Sequence, residues 1–411
     1  MPAMKIDEIV RNIREIDFGL VENKVVLLRV DLNSSVKDGK LIKGPRIIGH
    51  FRTIKKFLDH KAKVVILAHQ GRKGREDFIS LEQHKALLEQ MLGDGIDFCR
   101  WDEDYIGKIK NLTPGKALML ENTRFLDFET NELSAEEHSK NPVIQKIASV
   151  SNFYVLDALS VSHRGHASVV GFVPLLESYA GPLLYGELKA LAKLSKVKGK
   201  YTLVLGGMKP DDSIAIMEKL LIMGKANKVL LGGGLGEMAL IANGVELGSK
   251  EQVLKEKGLL EFLPKLKELM QNYNKNIVLP VDVAIERHSL REELSVKELP
   301  VNEMMFDIGE ETAELYSKEI KKSKSILANG PVGKFESELF AFGTRKILEA
   351  MASSKGFSLI GGGDTVTALS RLGFKENEFD HVSLAGKALL ELISGEQLFG
   401  LEALAKARSK K

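Results

Sequence analysis

The chain has 411 residues, with 59 Lys or Arg against 56 Asp or Glu, so its formal net charge at pH 7 is only +3. This balance does not suit a general nucleic-acid binder, because such binding requires a clear basic excess. One cysteine, Cys99, excludes an internal disulfide or a multi-thiolate metal site and indicates a reducing compartment. No signal peptide or bilayer-spanning apolar run is visible. We therefore expect a cytoplasmic protein of two domains without nucleic-acid or membrane partners.

Short apolar runs alternate with helical segments along the chain. The runs of the first half are Val25–Asn33, Val64–Arg72, Ala117–Phe125 and Phe153–Val161. Those of the second half are Thr202–Pro210, Val229–Glu237, Ile277–Ile285, Ser325–Gly333, Phe357–Thr365 and His381–Lys387. The helical segments between them include Ile47–Asp59, Leu81–Leu92, Glu311–Ser323 and Glu338–Ala352. Continuous apolar runs are typical of strands buried on both faces of a parallel sheet, so the pattern predicts a doubly wound α/β fold.

A boundary between two domains is predicted near the middle of the chain. The stretch from Pro174 to Lys200 contains GELKALAKLSKVKGK, which has a helical pattern with a lysine-rich end. We interpret it as a helix that joins the domains, although a helix inside one long domain is the alternative.

The strand ends of the first half carry basic groups. If their loops converge, Arg46, Arg72, Arg124 and Arg164 form a guanidinium cluster for a small polyanion, because the planar fork of arginine matches carboxylate and phosphate oxygens. A single arginine of this kind is more often part of a surface ion pair. The histidines nearby are equally compatible with a structural role, and their spacing does not indicate zinc; they are His69, His163 and His166.

The strand ends of the second half are rich in glycine. Glycines let backbone N–H groups approach an anion at the start of a following helix, and GGGDTVTALSRLG has that order. Asp364 in this segment is a candidate Mg²⁺ ligand, or else the cap of a tight turn before a helix. No Walker-type GxxxxGK[ST] loop is present, and GLGEMA lacks the acidic residue of a dinucleotide fingerprint.

Nine motifs follow one another in the order and spacing of phosphoglycerate kinases. They are RVDLNSSVKDGKLIKGPRI, AHQGRKG, ENTRF, DALSVSHRGHASVVGF, LGGMKPDDSI, LPVDVAI, DIGEETAELY, NGPVGKFE and IGGGDTV. From about Val25 to Leu401 the chain resembles that family, with variant motifs of the archaeal type. The resemblance implies two similar Rossmann-like domains that face each other across a hinged cleft. They would be a phosphoglycerate-binding domain (1–178 with about 396–411), a linking helix (179–198) and a nucleotide-binding domain (199–395).

The resemblance also implies an activity: reversible phosphoryl transfer between 1,3-bisphosphoglycerate and ADP, giving 3-phosphoglycerate and ATP with Mg²⁺, in glycolysis and gluconeogenesis. The positions that match phosphoglycerate-binding residues are Asp31, Asn33, Arg46, His69, Arg72, Arg124 and Arg164. The positions that match nucleotide-lining residues are Gly207, Lys209, Gly232, Gly233, Gly234, Asn329, Pro331, Glu336, Gly361, Gly362, Gly363, Asp364 and Thr365. The resemblance makes Arg46 and Lys209 the catalytic cations, Asp364 the magnesium ligand and Glu336 a ligand of the ribose.

The chain departs from the family pattern at three places. Gly186 and Ser213 stand where many members have lysines, the second being an archaeal-type variation. The family's TGGG loop is replaced by Leu384–Ala385–Gly386–Lys387, which leaves one glycine and adds a cation. These changes permit two alternatives: a kinase of a different carboxylic acid, or a catalytically weakened homologue that only binds. We expect small-molecule substrates and a monomer.

Overall fold

A computed structural model describes residues 6–93 and 95–409 of the chain. They divide into two compact units. The first unit extends to Ala192 and resumes at Glu391, and the second comprises Lys193–Leu390. No helix in the described part of the chain is long and apolar enough to cross a membrane.

The first unit is built from alternating strands and helices. Its strands are β1 (Val25–Arg29), β2 (Val36–Lys37), β3 (Lys40–Leu41), β4 (Lys63–Leu67), β5 (Ile96–Cys99), β6 (Ala117–Leu120), β7 (Phe153–Leu156) and β8 (Glu177–Ala180). Its helices are α1 (Ile6–Asn12), α2 (Pro45–Asp59), α3 (Glu82–Leu92), α4 (Tyr105–Lys110), α5 (Ala135–His138), α6 (Pro142–Ser149), α7 (Ala167–Val170) and α8 (Pro182–Lys196), whose last residues lie beyond the unit boundary.

Six of these strands form one parallel sheet in the order β5-β6-β4-β1-β7-β8. The central strands are fully buried because helices cover both faces, and side chains such as Leu28 and Ile66 pack there against Ile54 and Phe57 of α2. Pro45 in the first turn of α2 suits a helix start, since proline has no N–H that would need a partner there. Because these strands are parallel, the loops after β1, β4, β6 and β7 all lie at one edge of the sheet.

The second unit repeats the pattern. Its strands are β9 (Tyr201–Leu205), β10 (Ala226–Leu231), β11 (Ile277–Val278), β12 (Asp282–Arg287), β13 (Leu290–Ser295), β14 (Met305–Ile308), β15 (Ser325–Asn329), β16 (Phe357–Gly361) and β17 (His381–Val382). Its helices are α9 (Pro210–Ile222), α10 (Gly233–Ala242), α11 (Ser249–Glu256), α12 (Leu263–Asn272), α13 (Glu310–Lys322), α14 (Phe342–Ala352), α15 (Gly363–Arg371) and α16 (Lys387–Ile393), whose last residues return to the first unit. The last helix of the chain, α17 (Phe399–Ser409), belongs to the first unit.

The second unit has a parallel sheet in the order β11-β10-β9-β15-β16-β17 and a separate antiparallel sheet in the order β13-β12-β14. The predicted single run Ile277–Ile285 is wrong. It is divided between a two-residue edge strand and β12, because the chain leaves the parallel sheet after Val278 and enters the hairpin. Six strands lie outside the predicted runs, namely β2, β3, β5, β8, β13 and β14. In the first parallel sheet these are β5 and β8, whose four-residue sequences IDFC and ESYA are short and interrupted by polar residues.

Candidate active site

The carboxylate of Asp31 and the guanidinium of Arg46 form an ion pair at the edge of the first sheet. Asp31 follows β1, and Arg46 lies in the first turn of α2, with 3.1 Å between Oδ2 and Nη1. Ser160 donates to the same carboxylate oxygen at 2.5 Å, and the Asn33 N–H donates to Oδ1 at 3.0 Å. Burial alone would raise the pKa of Asp31, but its neighbours hold the pKa well below its ordinary value, Arg46 first among them and Ser160 through its hydrogen bond. Asp31 is therefore charged and fixes Arg46 at the sheet edge.

His69 is held by Arg29, a residue that the sequence placed at a strand end but not in the binding set. Arg29 Nη2 lies 3.1 Å from His69 Nδ1, and both side chains are buried. A guanidinium only donates hydrogen bonds, so Nδ1 must accept, and the proton of the neutral ring resides on Nε2. Burial and the nearby Arg29 hold the pKa of His69 well below its ordinary value. His69 is thus a neutral ring whose one N–H group is at Nε2.

Arg29 itself belongs to a buried polar chain. Its Nε donates to Ser168 Oγ at 2.8 Å, and that hydroxyl donates to Glu129 at 2.6 Å. Burial raises the pKa of Glu129, against the opposing effect of Arg29. One signal could have identified Arg29 from the sequence: it is a charged residue at the end of the apolar run that forms β1, a fully buried strand apart from Val25.

The loops at the same edge of the sheet carry three arginines, namely Arg72, Arg124 and Arg164. Burial lowers the pKa of Arg164, and Arg72 is the strongest charged contributor to that shift. Arg72 is exposed, and within the described residues its side chain has no hydrogen bond or ion pair. Arg124 donates to the Gly71 carbonyl, while its buried Nε has no partner among the described atoms. Like charges held together with donors unused are the expected features of an anion site.

Polar contacts tie the loops of this edge together. Asn33 Oδ1 accepts from the Gly71 N–H at 2.9 Å, so the loops after β1 and β4 are joined, and Arg124 joins the loop after β6. Another histidine of the sequence analysis, His166, is buried, and this burial together with Arg164 lowers its pKa to about 3. The seven predicted phosphoglycerate-binding residues therefore lie at this edge, six of them in the segments that follow the strands and Arg46 in the first turn of α2. Of these seven, Asp31, Asn33 and Arg46 contact one another directly.

Three glycines at the strand ends of the second unit, Gly207, Gly232 and Gly233, have N–H groups that are bonded within the protein. The Gly207 N–H donates to the Pro331 carbonyl at 2.8 Å, and the Gly233 N–H donates to the Val332 carbonyl at 2.9 Å. Gly232 donates to the Leu205 carbonyl at 3.0 Å. These N–H groups are therefore used inside the protein. Their glycines allow main chains to approach closely, which Gly207 and Gly233 do with positive φ values of 77° and 53°.

Free backbone donors are found instead where α15 begins. The first N–H groups of a helix have no partner within the helix, and here they belong to Gly363, Asp364 and Thr365. The Thr365 hydroxyl accepts from the Gly330 N–H at 2.8 Å, which ties the loop after β15 to this turn. Gly362 has a φ of 85°, and a Cβ there would lie 2.6 Å from Asn329 Oδ1. This turn thus matches the predicted order of strand, glycines and helix.

Lys209 and Asp364 lie together at this edge. Lys209 is the residue before α9, and its Nζ lies 3.5 Å from Asp364 Oδ2, with both side chains exposed. Within residues 6–93 and 95–409, no group of three or more His, Cys, Asp or Glu could hold a metal by itself. An exposed carboxylate beside free helix N–H groups fits Mg²⁺ bound jointly with phosphates, since this ion is usually held by one or two carboxylates and phosphate oxygens. Glu336 is exposed on the loop after β15, and its carbonyl accepts from Arg371 at 2.6 Å.

The comparison with known proteins decides the family. The phosphoglycerate kinase family model matches residues 13–396. The chain belongs to the phosphoglycerate kinase family. It is 38% identical over 400 residues to the phosphoglycerate kinase of Methanopyrus kandleri, covering 96% of this chain and 97% of that one. Over 394 residues it is 38% identical to the phosphoglycerate kinase of Sulfurisphaera tokodaii, covering 93% and 94% of the two chains.

Solved structures of phosphoglycerate kinases agree with this assignment. The enzyme of Pyrococcus horikoshii matches with a TM-score of 0.87 and 34% identity, covering 95% of this chain and 98% of that one. The enzyme of Coxiella burnetii matches with a TM-score of 0.74 and 30% identity, covering 96% and 99% of the two chains. The predicted α/β fold of two Rossmann-like domains is therefore confirmed, and the chain is a kinase of this family, whose reaction belongs to glycolysis.

The departures from the phosphoglycerate kinase pattern have clear structural settings. Ser213 is buried in α9, where its hydroxyl lies 3.5 Å from Asn329 Nδ2. Lys387 is the first residue of α16, and its Nζ lies 3.9 Å from Asp212 in the first turn of α9. Gly186 lies inside α8, and a Cβ there would contact nothing within 4 Å. Lys387 therefore adds a cation beside the helix that Lys209 precedes.

Proposed function

We propose that the chain catalyses reversible phosphoryl transfer between 1,3-bisphosphoglycerate and ADP, giving 3-phosphoglycerate and ATP. The observation that supports the substrate assignment is the group of Arg72, Arg124 and Arg164. Arg72 is close enough to Arg164 to lower its pKa, and the buried Nε of Arg124 has no hydrogen-bond partner among the described atoms. Such a cluster suits a small anion that carries both phosphate and carboxylate groups. Together with Asp31, Asn33, Arg46 and His69, these arginines would bind phosphoglycerate.

The nucleotide would bind at the glycine-rich edge of the second unit. The first turn of α15 offers backbone N–H groups to phosphates, and Lys209 offers a charge. Glu336 would accept hydrogen bonds from the ribose hydroxyls. The remaining lining positions are those that match the family, namely Gly207, Gly232, Gly233, Gly234, Asn329, Pro331, Gly361, Gly362, Gly363, Asp364 and Thr365.

Asp364 would hold Mg²⁺ together with the nucleotide phosphates, and the ion would neutralise part of their charge when bound. The acyl phosphate is already activated, so neither a covalent enzyme intermediate nor a strong base is required. The protein's part is positioning and charge stabilisation. Asp31 holds the Arg46 guanidinium in place, and Arg46 and Lys209 balance the negative charge of the transferred group.

We further propose that the enzyme acts in the cytoplasm as a monomer on small-molecule substrates. A lone buried cysteine, Cys99, fits a reducing compartment.

A coupled assay with ADP and 1,3-bisphosphoglycerate tests this function. We expect ATP formation by the wild type and a loss of about 2–4 kcal/mol of transition-state stabilisation in Lys209→Ala. Lys318→Ala is the matched control, because Lys318 is an exposed lysine that pairs with its helix neighbour Glu314. Activity with another carboxylic acid but not with phosphoglycerate would refute the substrate, and binding without turnover would refute the activity.

A further inference from the structure

Asp307 is a buried carboxylate in the second unit that the proposed mechanism does not use. It lies on β14, and its side chain is fully buried. Three donors surround it: the N–H of Ile308 at 2.9 Å, the N–H of Gly343 at 2.8 Å and Arg291 Nη1 at 2.9 Å.

Asp307 lies between the two ends of the loop that carries Glu336, which connects β15 to α14. A Cβ added to Gly333, near the start of this loop, would fall far inside van der Waals distance of Asp307 Oδ1, and so would one at Gly343, just beyond its end. The Lys334 N–H also donates to the carbonyl of Phe306, the residue before Asp307, at 2.7 Å. The loop therefore begins and ends against the same carboxylate.

Arg291 contacts the same loop at Leu339. From β13 it donates to the Leu339 carbonyl at 3.2 Å and to the Ile308 carbonyl at 2.9 Å, and it lies over the ring of Phe342 with 5.0 Å to the centroid. Glu293 accepts from its Nε and Nη2 at 3.0 and 2.8 Å. The guanidinium thus joins the antiparallel sheet to the Glu336 loop through several bonds of fixed direction, which a planar fork provides and an ammonium does not.

Stability alone is a poor explanation for this arrangement. A buried ion pair adds little net stability compared with apolar residues of similar volume, because desolvation offsets the attraction. Burial raises the pKa of Asp307 to about 6, which reflects that cost. What the pair does provide is a single geometry for the loop, since its bonds are satisfied only when both loop ends and Leu339 are in place.

We propose that Asp307 and Arg291 are positioning residues that set the affinity for the nucleotide by fixing the loop that carries Glu336. This inference rests on the proposed function, in which Glu336 binds the ribose. Neither residue touches the substrate in this proposal. The antiparallel sheet β13-β12-β14 is accordingly the support of the nucleotide site.

The test compares Asp307→Asn and Arg291→Lys with Arg287→Lys in the full-length protein. Arg287 is a matched control because it lies at the end of β12, next to the same hairpin, and pairs with Glu292 and Glu303 without contacting the loop. We expect the KM for ADP to rise about tenfold in the first two variants, while the KM for 1,3-bisphosphoglycerate stays within twofold of wild type. The control should change neither value. Circular dichroism confirms folding at the assay temperature.

Amide hydrogen exchange without nucleotide gives a second readout that does not depend on activity. We expect faster exchange over residues 334–341 in Asp307→Asn and Arg291→Lys, and wild-type exchange in Arg287→Lys. If Asp307→Asn fails to fold, Arg291→Lys, which retains the charge, decides the test. An ADP KM within twofold of wild type in every folded variant would overturn the inference, as would an equal rise of both KM values. A wild type without kinase activity would instead refute the proposed function.

Discussion

Replacing Gly363 with alanine should separate nucleotide binding from folding. Gly363 is the first residue of α15, its φ is outside the left-handed region, and a Cβ there would meet nothing within 4 Å. Alanine therefore fits the folded chain without strain. It also restricts the unfolded chain, so we expect a stability equal to that of the wild type or higher by about 0.4–1 kcal/mol.

The added methyl group would instead occupy the space through which phosphate reaches the first N–H groups of α15. Losing one or two of these contacts corresponds to about 1.4–2.8 kcal/mol, which is roughly a tenfold to hundredfold weaker binding of ADP. The assay is calorimetric titration with MgADP, together with the KM for ADP and thermal unfolding of the same preparations.

Gly186→Ala is the matched control, because that glycine lies inside α8 with equally open space around its Cβ position. We expect it to raise stability by about 1 kcal/mol without changing ADP affinity. Gly362→Ala would not serve, since its φ of 85° and the close Asn329 oxygen make it destabilising. Wild-type ADP affinity in Gly363→Ala would refute the reasoning that phosphate approaches the backbone here.

Three other predictions concern charged groups. Arg46→Ala should mainly lower kcat, whereas Arg164→Ala should mainly raise the KM for phosphoglycerate. Each change should correspond to about 2–4 kcal/mol in that kinetic constant. An unchanged kcat of Arg46→Ala in steady-state kinetics would contradict the transfer role. Lys387→Ala should lower kcat/KM roughly tenfold to a thousandfold if this lysine replaces the missing glycines, and a value within about twofold of wild type at low and high salt would show that it does not. Burial raises the pKa of Asp307 from 3.8 to about 6, so the folded state binds more protons than the unfolded state between these values, and stability falls as pH rises through this window. The unfolding free energy of wild type relative to Asp307→Asn should therefore drop by about 2 kcal/mol between pH 4 and 7. A difference that is flat with pH would contradict it.

The sequence by itself determined the α/β class and the family. The apolar runs that form β1, β4, β9 and β15 are continuous because helices cover both sides of a parallel sheet. Such a run involves only neighbouring residues, so it can be recognised in the sequence. The edge strand β5 escaped notice because an edge needs fewer apolar residues. The residues of each candidate site could also be predicted from the sequence, because the loops that follow parallel strands lie at one edge of the sheet and carry the ligand-binding residues.

Only the tertiary structure decided what each of these residues contacts. Asp157 follows a strand just as Asp31 does, yet it caps α8 by accepting from the N–H groups of Leu183 and Leu184. Gly207 could have faced a phosphate, but its N–H is bonded to the Pro331 carbonyl. Hydrogen bonds of this kind join positions far apart in the chain, and their partners are set by how helices and strands pack. Local sequence patterns do not encode that packing. Once the burial and the hydrogen-bond partners of a side chain are known, they determine the protonation of His69 and the position of Asp307 between the two ends of the loop.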